Sequence, residues 1–523
     1  MKKPFLISLI ALDVVTRPAA SETLPPIGSR TLDEATRSKV LLINEGSEPR
    51  TLDPQAAAMG PLEQHIIMGI IEGLVGCHPT DQSKEVPGMA DRWEHNDDYS
   101  VWTFHIGEDR KWSNGDPVIA QDFAFSYKRI LTPIFGAQNV DRLFVMKGAE
   151  DYFKEKITDF DQVGVKALDD HTLRIELVGP TPYLLSLLQH YTWFPVNPRT
   201  ILKFGRISDR DTKWTLPENY VGNGPFKLKD WKPHDVIRMV RNPLYWDAAT
   251  VKLNGINFYL IENQSTENRA FQAGQLHKTY GLQLNKVPYY RLKHPEYLRI
   301  DPWQGIYFYR LNVERKPLDN PKVRLALNLA VDREAIVKNI TRQNEQPATG
   351  FTPPGMGDYQ ALKVITYDPN KARQLLAEAG YPGGKGFPRL NILINTSEVH
   401  QTTAEAIQQM WKEELDINVG IENQEWKVSL DTQNNMNYDI ARNGRIGDFM
   451  DPVTFLDIWT SGNGNNTHWS DPKYDALIHQ AARTADTKMR LNLLYRAEEL
   501  FLSKPPVIFI YWYTRGYLML LFQ

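Results

Sequence analysis

Three short stretches concentrate the residues able to do recognition chemistry: Asn395-Thr-Ser-Glu-Val-His400, Glu422-Asn-Gln-Glu-Trp426 and Arg442-Asn-Gly-Arg-Ile-Gly-Asp448. They gather a histidine, a tryptophan, two arginines and a loop aspartate, a set able to grip a small zwitterion. An extended peptide carries an ammonium at one end and a carboxylate at the other. Holding both away from water needs an acid and a base several residues apart. Asp448 offers the acid, and Arg442 with His400 offers the base. Each residue also has a plainer reading. Asp448 follows Gly447 in a loop, where aspartate commonly caps a helix or closes a turn. Arg442 alone reads as a solvated charge or an internal ion pair. His400 stands at the start of a predicted helix, where a neutral or protonated imidazole would face solvent or receive a carboxylate. Trp426 reads as the core of its strand. Tyr511, Trp512 and Tyr513 read as a buried strand and point only weakly to a cleft.

The elements that must position these residues follow from periodicity. Val40 to Asn44 reads as a buried strand, and Glu63 to Leu74 as a helix with Ile66, Ile67, Ile70 and Ile71 on its apolar side. Val101 to Ile106 is strand-like, Ala120 to Ile130 helical with Phe123, Tyr127 and Ile130 on one stripe, and Thr172 to Leu177 strand-like again. Between Ile237 and Ile261, strand signals are interrupted at Asn242-Pro243 and Asn254-Gly255. The second half predicts an aromatic strand over Ile306 to Leu311 and one long helix over Pro321 to Ile340. A helix over Pro369 to Ala379 closed by Gly380, a strand over Asn391 to Ile394, a helix over Thr402 to Leu415 and a strand over Ile417 to Ile421 complete it. Alternating strands and helices predict an α/β lobe with a parallel or mixed sheet.

Composition narrows the function classes. A chain of 523 residues exceeds one core and predicts two or three domains. A formal charge of −3, with no basic run and no acidic tail, argues against a nucleic-acid partner. The 13 Trp and 23 Tyr suit carbohydrate or peptide recognition as well as a large core. No nucleophile elbow, no His-Glu-x-x-His and no metal-spaced Cys/His cluster is present, so the expectation is a binding protein with no cofactor and no catalysis. Lys2 and Lys3, the apolar run Phe5 to Val15 interrupted by Asp13, and Ala19, Ala20 and Ser21 read as an export signal over residues 1–21. The single cysteine, Cys77, allows no internal disulfide and is no lipid-anchor residue. A soluble periplasmic location is expected.

A series of separated motifs, in order, resembles the periplasmic oligopeptide-binding proteins of peptide ABC transporters, the extracellular solute-binding protein family 5. They are Pro87-Gly-Met-Ala-Asp-Arg-Trp93, Val101-Trp-Thr-Phe-His105, Lys111-Trp-Ser-Asn-Gly-Asp-Pro117 with Ala120-Gln-Asp-Phe123, Asn223-Gly-Pro-Phe226, Arg241-Asn-Pro-Leu-Tyr-Trp246, Val323-Arg-Leu-Ala-Leu327 with Val331-Asp-Arg333, and the stretches quoted at the outset. The resemblance covers about Val40 to Tyr513. It implies a two-lobed periplasmic-binding-protein fold of the class II type, with an extra inserted domain and hinge closure. By that analogy residues 22–71 and 196–305 form lobe I, 72–195 the inserted domain, 306–510 lobe II, and 511–523 a return to lobe I. Family members continue for some tens of residues beyond this return, so the resemblance also implies a truncated end.

The implied function is capture of short peptides between the lobes by a monomer, and delivery to the membrane permease subunits of an ABC importer. Asp448 would hold the ligand's α-ammonium, and Arg442 and His400 its carboxylate end. Trp426 would line a side-chain pocket, Asn395 and Gly444 would serve the peptide backbone, and Ile446 is a further ligand-binding candidate. Three departures bear on specificity. Asn328 stands where the family has a lysine that meets longer peptides, Arg445 replaces a pocket tryptophan, and Ala58 replaces an acid. Together they favour a ligand with an extra carboxylate, for which Arg445 is a ligand-binding candidate. A murein peptide, or a non-peptide solute such as nickel, haem or an oligosaccharide, is the alternative cargo.

Overall fold

The structure is a computed structural model that describes residues 30–57, 61–462 and 465–520. The signal expected over residues 1–21, Ala58 and residues 521–523 lie outside the described residues. The described residues divide into two compact units: those within 30–283, 294–298 and 517–520 form the first, and those within 284–293 and 299–516 the second.

The first unit holds three sheets. β1 (Val40–Asn44) leads to the hairpin of β2 (Val75–His78) and β3 (Asp81–Pro87). A four-stranded sheet follows, built from β4 (Ala90–His95), β5 (Val101–Ile106), β6 (Val165–Ala167) and β7 (Thr172–Glu176) in the order β4-β5-β7-β6. β8 (Phe226–Lys232), β9 (Val236–Arg241) and β10 (Gly255–Tyr259) return to β1 in the order β1-β10-β9-β8. β5 alternates half-buried and buried positions, as a strand with one face on a core must. The helix Ala120–Leu131 buries Phe123, Tyr127 and Ile130 on the core shared by β4, β5 and β7. Residues 74–193 thus supply nearly all of one hydrophobic core, and β1 with β8 to β10 belongs to another.

One helix stops earlier than its periodicity predicts. It spans Pro61–Ile70 rather than reaching Leu74, because a neighbouring loop takes over its end. Gly224 N–H donates to Ile70 O at 2.8 Å, and the Asn223 side chain bonds both Glu72 N–H and Glu72 O at 2.9 Å.

The second unit is built on a six-stranded mixed sheet. Its strands are β11 (Leu298–Leu311), β12 (Gln346–Pro347), β13 (Leu390–Asn395), β14 (Val419–Gln424), β15 (Ile440–Ile446) and β16 (Val507–Leu518), in the order β12-β16-β11-β15-β13-β14. β11 sends Tyr307, Tyr309 and Leu311 to one core and Ile306 and Phe308 to another. The period of two therefore feeds hydrophobic layers on both faces.

Three predicted elements of this unit are corrected. The helix expected over Pro321 to Ile340 breaks after Leu329 and restarts at Arg333, where the Asp332 side chain accepts Ala335 N–H as a new N-cap. The helix expected from Thr402 begins at Glu398 and runs to Leu415, which places His400 in its first turn. Trp426 is no strand residue: it opens the helix Trp426–Asn434, whose first amides donate to the Glu425 carboxylate.

Candidate functional site

β15 is the strand that carries most of the candidate residues, and its two edges differ. Toward β11 it is paired along its whole length, from Leu311↔Ile440 to Gly305↔Ile446. Toward β13 it is paired only at Ile392↔Ile440 and Leu393↔Ala441. Gly447 N–H donates to Gln304 O at 2.8 Å, so by strand alternation the main-chain groups of Gly444 and Ile446 point to the opposite edge. From Arg442 to Ile446 that edge has no partner strand among the described residues. Gly444 N–H takes the Asn443 side-chain oxygen at 2.8 Å. A Cβ at 444 would lie 2.6 Å from the Tyr513 hydroxyl, so any larger residue there forces the Tyr513 side chain to shift.

Beside this edge Arg442 is held without a carboxylate. Its Nη2 donates to the Tyr513 hydroxyl at 3.0 Å and its Nη1 to Asn395 Oδ1 at 3.3 Å. The guanidinium lies 4.7 Å over the Tyr307 ring. Its Nε is buried without a hydrogen-bond partner, and no acid among the described residues forms an ion pair with it. Such a cation keeps its cost of leaving water until an anion arrives. His400 Nδ1 lies 3.2 Å from the Tyr307 hydroxyl, and burial, helped by the nearby charge of Arg442, pulls the imidazole down to about 3. His400 is therefore neutral and offers a ligand a hydrogen bond rather than a charge. Burial pushes the Tyr307 phenol up to about 12, so it stays a neutral partner.

Asp448 lies beyond the end of β15 in a different setting. Arg445 Nη2 donates to Asp448 Oδ2 at 2.7 Å, and the same guanidinium donates to Thr454 O at 2.9 Å. Both side chains are about one-fifth exposed, so this pair is at the rim and not in the core. The loop itself is anchored by Asp451, which receives both Arg490 terminal nitrogens at 2.7 and 2.8 Å with both partners buried.

The structure thus brings Asn395, His400, Arg442 and Gly444 together and sets Arg445 and Asp448 as an internal pair one turn on. Trp426 is 47% exposed at its helix start. Asn328 is fully buried: its Nδ2 donates to Val507 O and Arg324 O, and its Oδ1 accepts from Phe509 N–H and Arg333. It pins a helix to β16.

Tyr307 and Tyr513 are the residues that sequence reasoning undervalued. Their spacing with Tyr309 and Tyr511 at every second position was the available signal. No group of His, Cys, Asp and Glu able to hold a metal is found among the described residues, and no helix among them is long and apolar enough to cross a membrane.

An unpaired strand edge thus lies beside a half-buried arginine that pairs with no acid among the described residues. The sequence profile of the Bacterial extracellular solute-binding proteins, family 5 Middle matches residues 84–467, and the chain belongs to this family. It is 36% identical to the oligopeptide-binding protein OppA of Bacillus subtilis, over 91% of this chain and 87% of that one. It is 34% identical to the periplasmic oligopeptide-binding protein OppA of Salmonella typhimurium, over 99% and 94%. Among solved structures, the periplasmic oligopeptide-binding protein of an oligopeptide ABC transporter from Borrelia burgdorferi, OppAIV, superposes with a TM-score of 0.78 at 33% identity, covering 92% of this chain and 95% of that one. The chain has the α/β periplasmic-binding fold of these relatives.

Proposed function

We propose that this protein binds short peptides in extended form along the free edge of β15 and delivers them, in the periplasm, to the permease subunits of an ABC importer. The observation that carries this reading is the pairing of that open edge with Arg442, a half-buried cation whose Nε is buried without a partner and which pairs with no acid among the described residues. Gly444 and Ile446 supply main-chain bonds as in strand addition, which recognises any sequence. Arg442 and Asn395, with neutral His400, take the carboxylate end. Asp448 and Arg445 mark the amino end, and Trp426 borders a side-chain pocket. The protein works as a monomer without catalysis or cofactor, after removal of residues 1–21, and residues 72–195 are its inserted domain.

Calorimetry with di- to pentapeptides, a murein tripeptide and cello-oligosaccharides tests the reading. Micromolar or tighter binding of several unrelated short peptides is expected. Binding of the oligosaccharides alone would overturn it, and binding of the murein tripeptide alone would narrow the cargo to cell-wall peptides.

A further inference from the structure

The charges around β15 do not balance. Three acids lie on the segment from Asp439 to Asp451, and each already has an arginine. Asp439 pairs with Arg315 at 2.8 Å, Asp448 with Arg445 at 2.7 Å, and Asp451 with Arg490 at 2.7 Å. Two further arginines reach the same strand with no acid. Arg442 is one. The other is Arg310, which stands on β11 opposite Ala441 and so shares a sheet face with Asn443 and Arg445. Its Nη1 donates to Gln433 Oε1 at 3.3 Å, the oxygen that Asn443 Nδ2 reaches at 2.9 Å, while its Nε is buried without a partner. Burial holds its guanidinium below the usual arginine range, as befits a cation withdrawn from water without a counter-ion.

An extended ligand on this edge turns alternate side chains to the two sheet faces. On one face of β15 lies Arg442, and on the other lie Asn443 and, from β11, Arg310, which share the buried Gln433 side chain. A neutral zwitterion leaves one of the two cations unanswered, whereas a ligand with two carboxylates answers both. At the amino end the internal ion pair changes the usual demand. A lone buried aspartate penalises any ligand without an ammonium, but an aspartate already held by Arg445 does not.

Resting on the peptide reading above, we propose that the cargo is a short peptide of net negative charge, with Arg310 receiving a side-chain carboxylate, and that a free amino terminus is dispensable because Arg445 balances Asp448.

Calorimetry on the full chain with Ala-Gln-Ala, Ala-Glu-Ala, Ala-Lys-Ala and acetyl-Ala-Glu-Ala tests this. In the native protein Ala-Glu-Ala should bind about tenfold tighter than Ala-Gln-Ala, and acetylation should cost less than about threefold. In Arg310→Gln the Glu preference should fall below about threefold with Ala-Gln-Ala still bound, and in Arg445→Gln acetylation should cost about tenfold. Equal binding of the Gln, Lys and Glu peptides by the native protein would overturn the anionic preference and leave the peptide reading standing. A tenfold acetylation penalty in the native protein would overturn the role of Arg445. If no tripeptide bound at all, both readings would fall together.

Discussion

The Arg442 guanidinium rests 4.7 Å above the Tyr307 ring, and the hydrogen bonds it makes go to neutral oxygens on Tyr513 and Asn395. A half-buried charge held only by neutral groups keeps part of its cost of leaving water in the unliganded fold. Arg442→Met should therefore leave the unliganded protein as stable as the native one or up to about 2 kcal/mol more stable. Urea denaturation of both proteins without peptide is the check. A loss of more than about 2 kcal/mol would mean that the cation is satisfied without ligand.

Gly444 faces the Tyr513 hydroxyl with no room for a Cβ. Gly444→Ala should destabilise by about 1–3 kcal/mol, and adding Tyr513→Phe should recover part of that by removing the blocking oxygen. Thermal melts of the single and double variants measure it. Strict additivity would show that the clash is not the cause.

His400 is neutral because burial outweighs its attraction for a proton, with a folded-state pKa of about 3 against 6.5 in an open chain. The folded state rejects the proton, so the stability contributed is complete above pH about 6.5 and is lost as the pH falls toward 3. Peptide affinity should then vary less than about twofold between pH 6 and 8 on account of this group. NMR titration of the imidazole gives the direct reading, and a midpoint near 6.5 would contradict it.

Glu72 titrates in the opposite sense. Its carboxyl accepts the Tyr245 hydroxyl and Trp246 Nε1, each at 2.7 Å, yet burial outweighs these bonds and raises it to about 7. The folded state holds this proton more tightly than the unfolded chain. The stability it contributes is full below pH about 4.5 and lost as the pH rises to about 7. Melting temperatures across that window should fall with pH in the native protein and flatten in Glu72→Gln. Identical slopes would remove Glu72 as the source.

Much of the α/β architecture was legible because period and punctuation are local. β5, β1 and the helix Ala120–Leu131 lie where their alternation or stripe predicts. Breaks imposed from a distance were not legible. The stop after Ile70 depends on Gly224 and Asn223, far along the chain. The break near Asp332 is different in kind: the apolar stripe runs on through it, and the break shows in the structure, where the Asp332 side chain caps a new helix start. In the site, Arg445 and Asp448 stand three residues apart, and the structure pairs them at 2.7 Å. Arg310 was invisible, since its lack of an acid emerges only when β11 is laid against β15. The exposed Trp426 was misread because its neighbours look strand-like until Glu425 caps the next helix.

The central claim is that a ligand carboxylate answers Arg442 beside the open edge of β15. Its most direct test is a double cycle by calorimetry, with Ala-Ala-Ala and its C-terminal amide measured against the native protein and Arg442→Gln. The account predicts that amidation weakens native binding by about 2–4 kcal/mol and has almost no effect in the variant, a coupling of at least about 1.5 kcal/mol. Equal losses on amidation in both proteins would place the carboxylate elsewhere and contradict it.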